Sequence, residues 1–550
     1  MKAGPEALKG GLAMLAFALL PAQPPTPDAE AQRHRVQEEA EARRQRLEEP
    51  HVSLGEALPE GRGEDLRLPE ETPSFRIDRI QLEIPAPVAA RRFQFLEREL
   101  ERYRGRRIGP QGLRLILDRL GRALLARGYT TTRIDLKEQD LSRGSLRLNL
   151  IPGIVRSVRM DGPAGQGRWR AAFPVRPGDL LNLRDLEQGL EQMKRAPGQD
   201  VRIALTPGDR PGESDVRLTV TQGRAWNLAF SVDDGGPPAI ASWQGALQGT
   251  WGNPFGRSDG LNASLSHDLT AWRRGSGTRG ASLGYTLPLG YWTFGVSGAW
   301  QGQDQRMEGT QGDLAYESVS TWLDLRVGWL FHRDHQQKNL IQFRTGLRRS
   351  RSFLEGTEID VQRRRNSFAE LALVHTRYLG AGQFSLSLAH RQGVPWFRAQ
   401  ADLGPEGPTF FYRLQTLEAS MTRPLPGGFT YTGTLRAQRA SSRLYASEQI
   451  SLGDRTTVRG LEDTAAESGD RGFFLRNDLE RPLGGSASWY LGLDGGRVQD
   501  PGGPGRARAG LVLGLRIATP AGLSFHAFLG GAIGRPGARP VLGVSAVFHF

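Results

Sequence analysis

From about Gly223 to Phe550 the sequence alternates. Segments of about ten residues set apolar side chains at every second position, with small or polar ones between. Examples are LNASLSHDL (261–269), WTFGVSGAW (292–300), TWLDLRVGWL (321–330), WYLGLDGG (489–496), ARAGLVLGLRI (507–517) and VLGVSAVFHF (541–550). A period of two is the signature of a strand with two unlike faces. At this length, one apolar face and one wet face fit a strand of a transmembrane β-barrel. No stretch reaches the ~18–20 apolar residues that a spanning helix needs. The mean hydropathy of −0.44 is no obstacle, because half of every such strand faces water.

The connections sort by length. Short ones fall at 253–259, 288–291, 333–339, 380–383, 426–428, 483–487 and 519–522. Long ones alternate with them near 233–240, 270–279, 301–317, 349–364, 392–409, 441–470, 497–507 and 534–540. Seven short turns and eight long loops join sixteen strands. An even number returns both barrel ends to one side, and short turns mark the periplasmic side. In the last segment Leu542, Val544, Ala546, Phe548 and Phe550 share one face.

The first 222 residues read differently. Residues 1–22 carry Lys2, Lys9 and an apolar run over Leu12–Leu20, the pattern of a secretory signal with cleavage near Ala22. Leu20 stands where a small residue is preferred, and a short buried helix is the competing reading. Asp28–Glu49, within a segment 23–49, is rich in helix formers but has no apolar stripe, so packing alone cannot hold it. A linker rich in Pro, Gly and charge covers 50–73. Two copies of a β-α-α-β-β module follow, at 74–152 and 153–222. In the first, FRIDRIQLEI (75–84) is a half-buried strand. Pro110–Arg127 is a helix with Leu113, Leu117, Leu120 and Leu124 on one face, Pro110 at its start and Gly128 at its end. In the second, Leu180–Arg195 is amphipathic, and PGDRPGES joins two strands. The fold class is therefore α+β followed by an all-β membrane domain, with the modules in the periplasm.

Signals for chemistry are weak. There are no cysteines, which removes disulfide and thiolate chemistry. The net charge of +13 is assigned to solvated faces and a wet lumen rather than to nucleic acid, since the chain reads as exported. Gly280–Gly284 matches GxSxG, but a nucleophile elbow needs a strand-to-helix turn, and Ser282 lies in an alternating barrel segment. His332, Asp334 and His335 cluster beside a short turn with no further ligand set. No phosphate loop or HExxH occurs. No catalytic residue, cofactor or metal is assigned.

The long connection before the twelfth strand is conspicuously charged: 456–480 reads TTVRGLEDTAAESGDRGFFLRNDLE. On the residues alone Arg459 is a solvated loop cation or an internal partner. Parity puts Tyr490, Gly492 and Asp494 on the inward face of their strand, and Arg476, Asp478 and Glu480 share a face on strand twelve. Val458, Arg459, Gly460 and Leu461 resemble the VRG(F/Y) motif of barrels that carry POTRA modules. The segments 253–268, 285–298, GDRGFFLRNDLE and LGLDGGRV (491–498) resemble one branch, the two-partner secretion transporters (haemolysin/filamentous-haemagglutinin secretion and activation family). Leu461 departs from the family's aromatic residue.

The resemblance implies two POTRA modules and a 16-stranded barrel. It implies a pore plugged by the N-terminal helix, and a loop folded into the lumen with Arg459 paired to Asp494. Asp478, Arg476 and Glu480 are the alternative lumenal charges. The final strand, with Phe548 and Phe550, resembles the signature by which the barrel assembly machinery recognises its clients. The implied partners are a secreted exoprotein of the large adhesin or cytolysin class, that machinery, periplasmic chaperones and the lipid bilayer. The implied function is export of a dedicated unfolded exoprotein across the outer membrane without ATP use by this chain. A barrel insertase of the same superfamily is the alternative. An outer-membrane enzyme or plain porin is a more distant one, because a porin has no use for two soluble modules.

Overall fold

A computed structural model describes residues 35, 50–54, 67–86, 88, 90–161, 168–236, 242–270, 276–309, 312–402, 407–461 and 466–550. The expected signal segment 1–22 lies outside the described residues. So does the expected plug segment 23–49 apart from Arg35, and so does part of the linker.

The first module holds β1 (Phe75–Ile77), β2 (Arg79–Glu83), α1 (Gln94–Glu101), β3 (Arg106–Ile108), α2 (Pro110–Ala126), β4 (Arg133–Asp135) and β5 (Ser145–Ile151). β5 pairs parallel with β2 and antiparallel with β4, while β1 pairs with β3. Pro110 supplies the first turn of α2, where a backbone donor has no partner to lose. Gly128 ends the helix in the left-handed region at φ +85°. Leu113, Ile116, Leu120 and Leu124 of α2 close over Leu146, Leu148 and Leu150 of β5. Ile116 rather than Leu117 faces the core, with Leu117 at its edge.

The second module holds β6 (Ile154–Asp161), α3 (Leu183–Lys194), β7 (Gln199–Pro207) and β8 (Glu213–Gln222). β8 lies between β6 and β7, parallel to the first and antiparallel to the second. The place expected for its first helix holds a four-residue 3-10 turn, Arg168–Ala171. That turn feeds Ala172, Phe173 and Val175 into a core with Leu186, Leu190, Val216 and Leu218.

The remainder is a closed barrel. Its strands run β9 (Trp226–Asp233), β10 (Gln244–Gly252), β11 (Gly260–Asp268), β12 (Gly277–Leu289), β13 (Trp292–Gly309), β14 (Gly312–Arg333) and β15 (Gln337–Leu354). After the two-residue β16 (Thr357–Glu358) come β17 (Arg364–Leu379), β18 (Gly382–Val394), β19 (Arg413–Leu425) and β20 (Phe429–Ala440). The loop strands β21 (Ile450–Leu452) and β22 (Glu467–Gly469) precede β23 (Arg471–Gly484), β24 (Ala487–Gln499), β25 (Arg506–Ala518), β26 (Leu523–Ala532) and β27 (Val541–His549). β16 is an appendage of β15, which itself pairs with β17; without it and the loop strands, sixteen strands form the wall. β27 closes on β9 from Ser545↔Asp233 to His549↔Ala229, so no edge is left within the bilayer.

Side chains alternate about the wall. Leu323 and Leu325 are 50% and 46% exposed toward lipid, while Asp324 between them is 3% exposed. Trp292 and Trp329 stack at 5.6 Å at one rim, an aromatic belt residue pair. The seven short turns stand where the sequence sets them. The long connection expected at 301–317 is mostly strand: the β13–β14 ladder continues to Gly309 opposite Gly312. Beyond the bilayer, cross-strand hydrogen bonds hold the ribbon without an apolar face, so hydropathy alternation ends before the strand does.

Candidate functional site

The connection from β20 to β23 turns into the barrel. β21 and β22 pair as a small hairpin. Asp454 caps the next turn by accepting from Thr456 N at 2.5 Å and Thr457 N at 2.9 Å, which presents Val458-Arg459-Gly460-Leu461 to the wall. Val458 and Leu461 bury with Ile450, Leu452, Phe474 and Val498. Leu461 thus fills an apolar seat, 5% exposed.

Arg459 is 2% exposed. Its Nε donates to Asp494 Oδ2 at 2.7 Å and its Nη2 to Asp494 Oδ1 at 2.9 Å, a bidentate pair. Nη2 also reaches Asp478 Oδ1 at 2.5 Å, and the Arg459 backbone N–H donates to Asp494 Oδ2 at 3.1 Å. The structure therefore brings Arg459, Asp494 and Asp478 together. Arg476 donates to the Arg455 carbonyl at 2.6 Å and stands 3.9 Å from Asp478 Oδ2 at the edge of this cluster. Glu480 pairs with Arg516 and accepts from Ser488 Oγ. The Tyr490 ring lies 4.2 Å from the Arg516 guanidinium and 5.5 Å from that of Arg459. Gly460 takes φ +79°, and a Cβ there would stand 2.8 Å from Gly531 N, so the tip of the motif meets the wall backbone to backbone. At the seam with β9, Phe548 and Phe550 make a T-shaped pair at 4.7 Å, and Phe550 N donates to Leu228 O at 2.9 Å.

Sequence reasoning missed a second charged centre. Arg35, helical and 1% exposed, donates to Glu448 O at 3.0 Å, Glu448 Oε2 at 3.4 Å and Gln449 O at 2.5 Å. Glu448 also accepts from Arg391 of β18 at 2.9 Å, and Arg391 donates to Glu370 of β17 at 2.7 Å. Beside them Arg344 pairs with Asp324. Strand parity carried part of the signal: Asp324, Glu370 and Arg391 stand next to the exposed Leu323, Leu371 and His390, whereas Arg344 is followed by the buried Thr345. A cavity of about 1110 Å³ runs along this wall from α3 of the second module to Arg35 and Arg391.

A third cluster, also missed, fastens the second module to the barrel. Asn182 caps α3 by accepting from Arg184 N at 2.8 Å. Glu191 accepts from Arg333 Nη2 at 2.9 Å and Lys338 Nζ at 2.5 Å. Gln188 and Gln192 each donate to Gly290 O at 3.1 Å, and Tyr291 donates to Asp185. Burial raises the carboxyl of Glu191, but the bond to His51 and the charges of Lys338 and Arg333 outweigh it and hold the group well below the usual carboxylate range. In the HRDH stretch, Asp334 caps its own turn through Gln336 N and Gln337 N while Arg333 points into this joint. Among the described residues no group of three His, Cys, Asp or Glu is placed to hold a metal. Ser282 lies mid-strand in β12, its Oγ 2.7 Å from Ser264 Oγ.

A family model described as haemolysin secretion/activation protein ShlB/FhaC/HecB matches residues 212–517. A ShlB-type POTRA domain matches 75–153, and a further POTRA domain matches 154–207. The chain is 36% identical over 506 residues to the outer membrane transporter CdiB-2 of Burkholderia pseudomallei, covering 88% of this chain and 87% of that one. It is 28% identical over 412 residues to the hemolysin transporter protein ShlB of Serratia marcescens, covering 72% of each. The solved structure of CdiB from Escherichia coli shares its fold at a TM-score of 0.85 and 24% identity, over 96% of this chain and 100% of that one. The twin modules, the sixteen-stranded wall and the inward loop belong together: the chain is a member of the haemolysin secretion/activation family of outer-membrane proteins.

Proposed function

We propose that the protein is an outer-membrane transporter. It takes one dedicated, unfolded exoprotein from the periplasm through its POTRA modules and passes it through the barrel to the cell surface. The observation that carries this reading is the single cavity joining α3 of the second module to the charged wall of the lumen. A chain released by the module meets the pore directly. The wall offers paired charges and hydroxyls, which suits an extended polypeptide with its own hydrogen bonds unmet. Arg35, anchored at Glu448, is consistent with a plug formed by segment 23–49 that must leave before transport. Residues 1–22 act as the export signal, and the linker 50–73 leads to the modules. Arg459, held by Asp494 and Asp478, fixes the inward loop. Phe548 and Phe550 serve recognition by the barrel assembly machinery, with periplasmic chaperones as escorts. The chain carries out no reaction of its own and uses no ATP; folding outside draws the cargo forward. The insertase reading is the weaker one, because the relatives are named as transporters, among them transporters of hemolysins.

Comparative proteomics of culture supernatant and outer membrane, with and without the gene, tests the reading. Loss of one large secreted protein with other barrels intact is the expected result. A broad fall in outer-membrane barrels without selective loss from the supernatant would establish the insertase instead.

A further inference from the structure

A short peptide lies across the second module without belonging to it. Residues 50–54 of the linker pass between α3 and the barrel rim. Val52 and Leu54 are half-buried, Ser53 is exposed, and the His51 side chain on the other side is 28% exposed. Glu191 accepts from Val52 N at 2.9 Å, and Glu187, one helical turn earlier, accepts from Leu54 N at 2.9 Å. Arg333 Nη2 donates to Val52 O at 3.4 Å. Donors two residues apart that face one side are the spacing of an extended chain. The Val52 and Leu54 side chains pack on the core of the second module, and the His51 ring stacks on Tyr378 at 3.6 Å.

Apart from His51, whose ring stacks on Tyr378 and lies 3.7 Å from Glu191, the polar contacts read main chain and the apolar ones read two positions. Glu187 and Glu191 are 0% and 3% exposed and are held by Arg184 and by Arg333 and Lys338 respectively, so departure of the linker removes only the backbone donors and leaves both carboxylates in place to accept from another extended peptide. The seat also opens on the pore: Pro50, Gln188, Glu191 and Lys338 line the same cavity as Arg391.

We propose that this groove is a peptide-binding seat, filled in cis by residues 50–54. Once the linker withdraws, it takes an extended segment of the exoprotein with apolar side chains two residues apart. The proposal rests on the transporter reading above and adds a competition: linker and cargo exclude each other at Glu187 and Glu191. Recognition is by helix carboxylates, separate from any addition of a strand to the β7 edge.

The test uses purified full-length protein in detergent and a fluorescent peptide of residues 48–56, EEPHVSLGE. A Val52→Asp/Leu54→Asp variant frees the seat, and fluorescence polarisation is expected to show it binding the peptide at least tenfold more tightly than the parent. The same peptide N-methylated at its Val and Leu nitrogens is expected to bind at least tenfold more weakly. Heat-modifiable electrophoretic mobility reports whether the variant barrel is folded. If it is not, Val52→Gly/Leu54→Gly removes only the side chains and serves instead. Equal binding to parent and variant, or indifference to N-methylation, would overturn the proposal. Supernatant proteomics on the same strains separates the two readings: peptide binding can fail while secretion persists, which sinks the seat and leaves the transporter standing.

Discussion

Removing the Arg459 side chain would leave Asp494, 1% exposed, without its guanidinium, while Asp478, 7% exposed, would keep only the longer contacts to Arg516 at 3.4 Å and Arg476 at 3.9 Å. Breaking a buried charge group by deleting one partner costs roughly 3–5 kcal/mol. Arg459→Ala is therefore expected to release the loop from the lumen, read as new protease cleavage within 441–470 on intact cells. Asp494→Asn is expected to be milder, since Asp478 keeps one bond to the guanidinium. Equal cleavage in the two variants would contradict that order. Arg459 and the inward face of Asp494 were legible from a motif and from parity. The share taken by Asp478 was not. It depends on the register that sets Asp478 beside Gly492 of β24, where any Cβ would stand 2.5 Å from Arg459 Nη2.

Two glycines on neighbouring strands show what an element contributes. A Cβ on Gly510 of β25 would lie 1.9 Å from the Arg459 carbonyl oxygen, backbone against which nothing can rotate away. A Cβ on Gly531 of β26 would meet nothing within 4 Å. Gly510→Ala is expected to expose the loop to protease as Arg459→Ala does, and Gly531→Ala to leave it protected. If both are protected, the close approach of loop and wall is not what seats the loop. Sequence pattern marks both residues as small members of alternating strands and cannot rank them. Strand ends were hidden for a related reason. The β13–β14 ribbon outruns its apolar pattern, because backbone pairing continues where lipid contact stops.

The joint between the second module and the barrel sets behaviour on the scale of the whole molecule. Glu191 has its carboxyl pKa depressed in the folded state: burial raises it, but the bond to His51 and the charges of Lys338 and Arg333 outweigh that. A depressed folded value contributes stability above the unfolded value of about 4.3 and loses it as pH falls through the folded value. The joint is thus expected to hold from pH 8 down to about 5 and to loosen only in stronger acid. Energy transfer between labels on cysteines placed in the second module and a periplasmic turn would follow it, the chain having no cysteine of its own. Opening between pH 7 and 5 would contradict this expectation. None of this was legible in HRDH or in the amphipathic pattern of 180–195. Glu191, Arg333 and Lys338 are far apart in sequence, and each alone reads as a solvated charge. What the sequence by itself determined has a local period or a local turn: the sixteen alternating strands, the side of the short turns, the order of the modules and the helix ends at Pro110 and Gly128. Only the tertiary structure decided which charges meet. An ion pair is made by side chains that the chain path and strand register bring within about 4 Å, and neither of those has a local signature.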